Sequence, residues 1–242
     1  MRIQTEKRGA VLVIRLDDGK ANAIGPDWCA ELGTALDEAE SDEISVVCLL
    51  GRDGFFSGGL DLKALPQLGP AEVGQAFKDF VSTMQRVFLF PKPVVAGSVG
   101  HAIAGGFMLF LAADYRIALD SDEHQYGLNE VRNGIPILGA TAAICRCAVP
   151  AEYQTSVIQF SEMGKARSCH ERKIVAELCS TREEVEAALF AKAETLLAVE
   201  REAYRATKIG LRSPYLVSSD LARSEARWVP SGGNPLARVA KN

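Results

Sequence analysis

The stretch PVVAGSVGHAIAGGFM, Pro93 to Met108, decides how this chain folds. Val94, Val95 and Ala96 form a short apolar run between Pro93 and Gly97, the pattern of a strand buried on both faces. Glycines and small residues follow, then the apolar run Phe107 to Ala113, long enough for a buried helix. The spacing predicts a strand, a tight turn and a helix that begins at Gly105-Gly106. A helix start carries N–H groups without intrahelical partners and the positive end of the helix dipole. Glycine there lets a ligand come close to the backbone. Two readings are open: close packing of strand on helix, or a seat for an anion, including an oxygen that becomes negative during a reaction. Nucleotide motifs are absent. No Lys-Ser or Lys-Thr follows the glycines, there is no G-x-G-x-x-G, and Gly97-Ser98-Val99-Gly100 is one residue short of a nucleophile elbow.

Working outward, 242 residues suit one large α/β domain, or one domain with an appendage. With 48% apolar and 24% charged residues the chain has the makings of a full core. A net charge of −4 argues against nucleic acid or a membrane surface as the main partner. No stretch is long and apolar enough to span a bilayer, and the N-terminus lacks a signal-peptide pattern, so a cytoplasmic location is expected. Cys29, Cys48, Cys145, Cys147, Cys169 and Cys179 are scattered and read as thiols. Only Cys145 and Cys147 are close, with no histidine at zinc spacing, so no metal site is expected.

Along the chain, Ile3–Glu6 and Ala10–Leu16 read as strands, and an amphipathic helix starts at Pro26 and runs to about Ala39. Ser45–Leu50 is a buried strand, Gly51–Gly59 a glycine-rich loop, and Val73 to Phe88 a helix. Asp114–Leu119 is another strand, with Asp114 and Arg116 as a polar pair at its end. Gln125–Ile137 reads as irregular, the chain from Thr141 as largely helical, and Ser231–Asn242 as a loose tail. Ile144, Val149, Val157, Ile158 and Phe160 are apolar residues that a thin fold would leave uncovered. Strand, helix, strand recurs, which predicts a parallel sheet with crossover helices.

Three segments in order resemble one family: FSGGLDLK (Phe56–Lys63), KPVVAGSVGHAIAGG (Lys92–Gly106) and ADYRIA (Ala113–Ala118). They are similar to motifs of the crotonase, or enoyl-CoA hydratase/isomerase, superfamily. The early Lys20-Ala21-Asn22-Ala23-Ile24 resembles its first CoA-facing loop. The resemblance spans roughly Val11 to Gly139. It implies an α/β fold, a crotonase-type spiral of repeated ββα units with a helical C-terminal region. Residues 1–185 would be the spiral core that binds the CoA thioester, and residues 186–242 a helical region serving oligomerisation, as a homotrimer or hexamer.

By the same resemblance, the Leu60 and Gly105 N–H groups would hold the thioester oxygen and stabilise an enolate. Lys20, Ala21, Ala23, Ser57, Gly59, Asp61 and Leu62 would contact the CoA thioester. Hydratases of the family carry two glutamates; the first position here is Met108 and the second matches Glu130. A thioether moves no proton, so one carboxylate remains. It can take an α-proton and return it at another carbon, which is double-bond isomerisation. Alone, Glu130 would read as a solvated loop carboxylate; the matched segments make it a candidate base and acid. The expected activity is enoyl-CoA isomerisation, closest to the single-glutamate branch. Hydration or thioester hydrolysis is the alternative, and a non-catalytic acyl-CoA-binding scaffold is the alternative of another class. No cofactor is implied beyond coenzyme A as part of the substrate.

Overall fold

The structure is a computed structural model and describes residues 2–64 and 67–216. The expected tail at Ser231–Asn242 lies outside the described residues. Strands β1 (Ile3–Arg8) and β2 (Val11–Leu16) pair antiparallel. Then β3 (Val46–Gly51), β5 (Val94–Ser98), β7 (Tyr115–Leu119) and β9 (Glu177–Cys179) add in parallel, giving one six-stranded sheet in the order β1-β2-β3-β5-β7-β9. Three short strands, β4 (Gly54–Ser57), β6 (Gly100–Ile103) and β8 (Tyr126–Gly127), form a second parallel sheet. β3 and β5 are each followed by one strand of the second sheet and then by a helix: α2 (Pro70–Phe88) and α3 (Gly105–Ala112). This is the spiral of ββα units that the sequence suggests.

The period of two along each strand explains the continuous apolar runs. Leu12, Ile14, Val47, Leu49, Val94 and Ala96 face a core shared with α1 (Pro26–Ala39), α2, α3 and α4 (Gly139–Ala148). Val11, Val13, Val46, Cys48, Leu50 and Val95 face a second core closed by Val185, Leu189 and Ala193 of α6 (Arg182–Leu196). With both faces covered, no position needs a polar residue.

Several elements differ from the sequence reading. The loop read at Gly51–Gly59 contains β4, and the turn before Gly105 contains β6. These two strands pass so close that a Cβ on Gly100 would lie 2.0 Å from the Gly54 carbonyl carbon and the Phe55 nitrogen. The region after Thr141 holds strand β9 beside its helices, α5 (Ala166–Glu171), α6 and α7 (Arg201–Leu216). The boundary placed after residue 185 falls inside α6. Asp114 pairs with α7: Lys208 Nζ is 2.7 Å and Arg212 Nη2 2.8 Å from its carboxylate. Arg212 Nη1 also donates to the carbonyls of Phe88 and Ala112, at the ends of α2 and α3. Arg116 turns instead to the Ala113 and Ile174 carbonyls. Ile144, Val149 and Val157 are buried in the chain's own core, whereas Phe160 is 70% exposed. Among the described residues no helix is long and apolar enough to cross a membrane.

Candidate active site

Two loops run side by side where β2 leads into α1 and β4 leads toward α2. Gly58 N–H donates to the Ala21 carbonyl at 2.8 Å, Ile24 N–H to Gly59 at 2.8 Å, and Asp61 N–H to Ile24 at 2.9 Å. These bonds form a parallel bridge between Ile24 and Leu60. Leu60 itself sits between the bonded groups, and its own N–H has no acceptor among the described residues. Gly59 is buried at φ +89°.

The second free amide is at the start of α3. Ala104 enters the helix at φ +54°, a conformation unfavourable for a residue with a Cβ and of a kind concentrated at functional sites. Its N–H donates to the Gly127 carbonyl at 2.9 Å. Gly105 follows as the first helical residue, and its N–H has no acceptor among the described residues. A Cβ on Gly59 would lie 3.1 Å from the Gly105 nitrogen, so the two glycines abut. The Phe80 ring covers Gly105 from α2: a Cβ there would be 2.8 Å from Phe80 Cε2. Met108 lies one turn into α3, 3% exposed.

Glu130 follows β8. It is 8% exposed, and its Oε2 has no hydrogen-bond partner among the described residues. Burial pushes the carboxyl up to about 7, against a smaller downward pull from the backbone N–H groups of Glu130 and Asn129. Burial, and then the Glu130 charge, raise the Cys145 thiol of α4. The Glu130 carbonyl accepts the N–H groups of Asn133 and Ile135 at 2.9 Å. Ile135 in turn packs with Leu60, Leu62, Val73 and Phe77 around Ala76. The bond from Ala104 to Gly127 thus ties the Glu130 segment to one amide, and Ile135 ties it to the other. Two fixed donors and one carboxyl that titrates near neutrality can move a proton and hold the oxygen that becomes negative.

The remaining candidates divide. Lys20 is exposed, Ala21 and Ala23 are half-buried, and all three lie on the loop beside Leu60. Asp61 Oδ1 accepts the N–H groups of Lys63 and Ala64 and so closes the turn after Leu60. Leu62 joins the apolar cluster. Ser57 is fully buried beside Leu60; its hydroxyl donates to the Asn22 carbonyl at 2.7 Å and accepts Gly59 N–H at 3.1 Å. Asn22 is the residue that sequence reasoning missed. It is fully buried at φ +48°, and its Nδ2 is within bonding distance of the Leu16, Phe55 and Phe56 carbonyls. The one available signal was an asparagine among alanines just before a helix, since asparagine tolerates left-handed backbone.

Comparison with known proteins follows the same lines. The family model described as enoyl-CoA hydratase/isomerase matches residues 6–226. Carnitinyl-CoA dehydratase of Escherichia coli is 31% identical over 209 residues, covering 83% of this chain and 79% of its own length. An enoyl-CoA hydratase/isomerase family protein from Pseudomonas syringae superposes with a TM-score of 0.86 at 27% identity, over 94% of this chain and 98% of that one. Human mitochondrial delta3-delta2-enoyl-CoA isomerase shares the fold, with a TM-score of 0.86 at 22% identity over 100% of this chain and 90% of that one.

Proposed function

The chain belongs to the enoyl-CoA hydratase/isomerase family, and on that footing we propose that it moves the double bond of a 3-enoyl-CoA to the 2 position. Glu130 takes a proton from C2 of the thioester. The electron pair spreads onto the thioester oxygen, where the Leu60 and Gly105 N–H groups receive it. The same carboxylic acid then returns the proton at C4, and the double bond forms between C2 and C3. Coenzyme A enters as the handle of the substrate, and the loop bearing Lys20, Ala21 and Ala23, with Gly59, Asp61 and Leu62 opposite, is its proposed seat. The apolar cluster of Leu60, Leu62, Phe77 and Ile135 suits a hydrocarbon acyl group.

One observation supports this reading: Glu130 is the one buried carboxyl among the described residues and its ionisation is pushed up to near neutrality, while Met108, which by the family resemblance matches the first glutamate of a hydratase, moves no proton. The likeness to carnitinyl-CoA dehydratase favours a second reading, elimination or addition of water. Incubating a panel of 3-enoyl- and 2-enoyl-CoAs in heavy water, with mass spectrometry of the products, separates the two. Isomerisation yields a 2-enoyl-CoA of unchanged oxygen count; a 3-hydroxyacyl-CoA overturns the isomerase reading. Glu130→Gln separates catalysis from a scaffold role, because turnover must collapse while acyl-CoA binding survives. Assembly as a homotrimer or hexamer belongs to the same proposal. The exposed Phe160 and Val131 support it, and light scattering that finds a monomer at micromolar concentration overturns it.

A further inference from the structure

We infer that Asn22 aims the Leu60 amide, acting through Ser57 and Ile24 without touching the substrate; this rests on the reading of Leu60 N–H as an oxyanion donor. The Gly59 carbonyl and the Leu60 N–H belong to one planar trans peptide, so they point in opposite directions. Ile24 N–H holds that carbonyl at 2.8 Å, which turns Leu60 N–H away from Ile24. The preceding peptide is fixed as well, because Gly59 N–H donates to Ser57 Oγ at 3.1 Å. Both peptide units around Gly59 are therefore pinned, one by Ser57 and one by Ile24. Without those bonds a glycine at φ +89° would be free to rotate them.

Both pins trace back to Asn22. Its carbonyl accepts the Ser57 hydroxyl at 2.7 Å, and Ile24 lies two residues along the same loop. The Asn22 carboxamide anchors that loop. Nδ2 donates to the Leu16 carbonyl at 2.7 Å and lies 3.1 and 3.2 Å from those of Phe56 and Phe55, so the loop is fastened to the end of β2 and to the middle of β4. Oδ1 accepts Asp18 N–H at 2.9 Å, and Asp18 Oδ1 accepts Asn22 N–H at 2.9 Å. This arrangement requires two side-chain donors, one acceptor and a left-handed backbone, a combination that asparagine supplies.

The test uses Asn22→Gly and Ser57→Ala in the full chain. Glycine adopts φ +48° without strain, so the first variant removes the carboxamide and keeps the turn. Ser57→Ala removes the hydroxyl alone and remains informative should the first variant not fold. The readout is exchange of the α-proton of an acyl-CoA in heavy water, which reports enolate formation whatever the net reaction. It is paired with the Kd of a saturated acyl-CoA and the thermal midpoint. Because losing an oxyanion donor costs on the order of 10²-fold, exchange should fall about 10- to 100-fold, with Kd changed less than about threefold. Folded variants that exchange at the wild-type rate overturn the inference. So does a loss of exchange matched by an equal loss of binding or by unfolding, which would mean a structural role alone. A wild-type protein that shows no exchange refutes the enolate reading itself, and this inference with it.

Discussion

Gly59 and Gly105 meet backbone to backbone: a Cβ on Gly59 would sit 3.0 Å from the Ile103 carbonyl oxygen and 3.1 Å from the Gly105 nitrogen. The loop after β4 thereby takes its position from the start of α3, which is how two amides far apart in the chain come to one location. Gly59→Ala should harm both stability and turnover. At φ +89° a side chain costs roughly 1–2 kcal/mol, and the added methyl pushes the two amides apart. A thermal midpoint lowered by several degrees, together with a fall in enoyl-CoA turnover of at least about tenfold, is expected. Wild-type turnover in the folded variant would show that the spacing of these amides is immaterial.

Gly105 has a different neighbour. Its added Cβ would meet the Phe80 ring at 2.8–2.9 Å, so Gly105→Ala must move that ring or the helix start. Turnover should fall, and Phe80→Leu in the same chain should restore part of it by making room. Gly105→Pro removes the donor itself and should abolish turnover with or without the second change. Steady-state kinetics on these variants distinguish loss of space from loss of the N–H.

The Glu130 carboxyl, pushed up to about 7 by burial, makes a double prediction. As a base it must be ionised, so kcat/KM should rise with pH through about 7 and then level. Its stability effect has the opposite sense. The folded value lies above that of an unfolded glutamate, near about 4.3, so the folded state binds the extra proton between the two. Stability from this group is complete below about 4.3 and is lost as pH rises through about 7. Glu130→Gln should therefore be inactive yet more stable than wild type at about pH 8, by up to a few kcal/mol, since each tenfold change in proton affinity is worth about 1.4 kcal/mol. Thermal unfolding of the two proteins at about pH 5 and about pH 8, on either side of the buried carboxyl's titration, checks this: the gap must widen at the higher pH.

The long elements were legible because their physics is local. Val46 to Leu50 and Val94 to Ala96 are covered on both faces, which leaves unbroken apolar runs, and α3 is buried along its whole length. The second sheet was hidden because its strands have two to four residues and draw on glycine, serine and histidine, which permit the close approach of Gly100 to Gly54. β9 owes its existence to pairing of Ile117 with Glu177, a contact between distant parts of the chain. Glu130 looked like a solvated loop residue, since Asn129, Arg132 and Asn133 around it are polar; only the family motif singled it out. Its burial comes from tertiary packing, which the flanking residues do not display. Asn22 falls within a family-like motif, but its role lies in hydrogen bonds to three carbonyls that no local pattern displays.

Met108 offers the most direct test of the single-carboxylate reading. It occupies the first turn of α3, three residues beyond Gly105, and is 3% exposed. Met108→Glu would place a second carboxyl in that apolar setting. Burial raises its pKa, and the Glu130 charge raises it further if the two share the site. A proton shared between two such groups is what adding water across a double bond requires near neutral pH. The variant should hydrate a short 2-enoyl-CoA measurably, while wild type does so little or not at all. It should also be less stable, with the loss greater at about pH 8 than at about pH 5, because the buried acid is neutral at the lower pH. Mass-spectrometric detection of the 3-hydroxyacyl-CoA, run beside thermal unfolding at both pH values, measures the two effects together. Wild type that already hydrates on the order of 10 times per second, a typical enzyme rate, would show that Met108 is no obstacle and would reassign the enzyme as a hydratase.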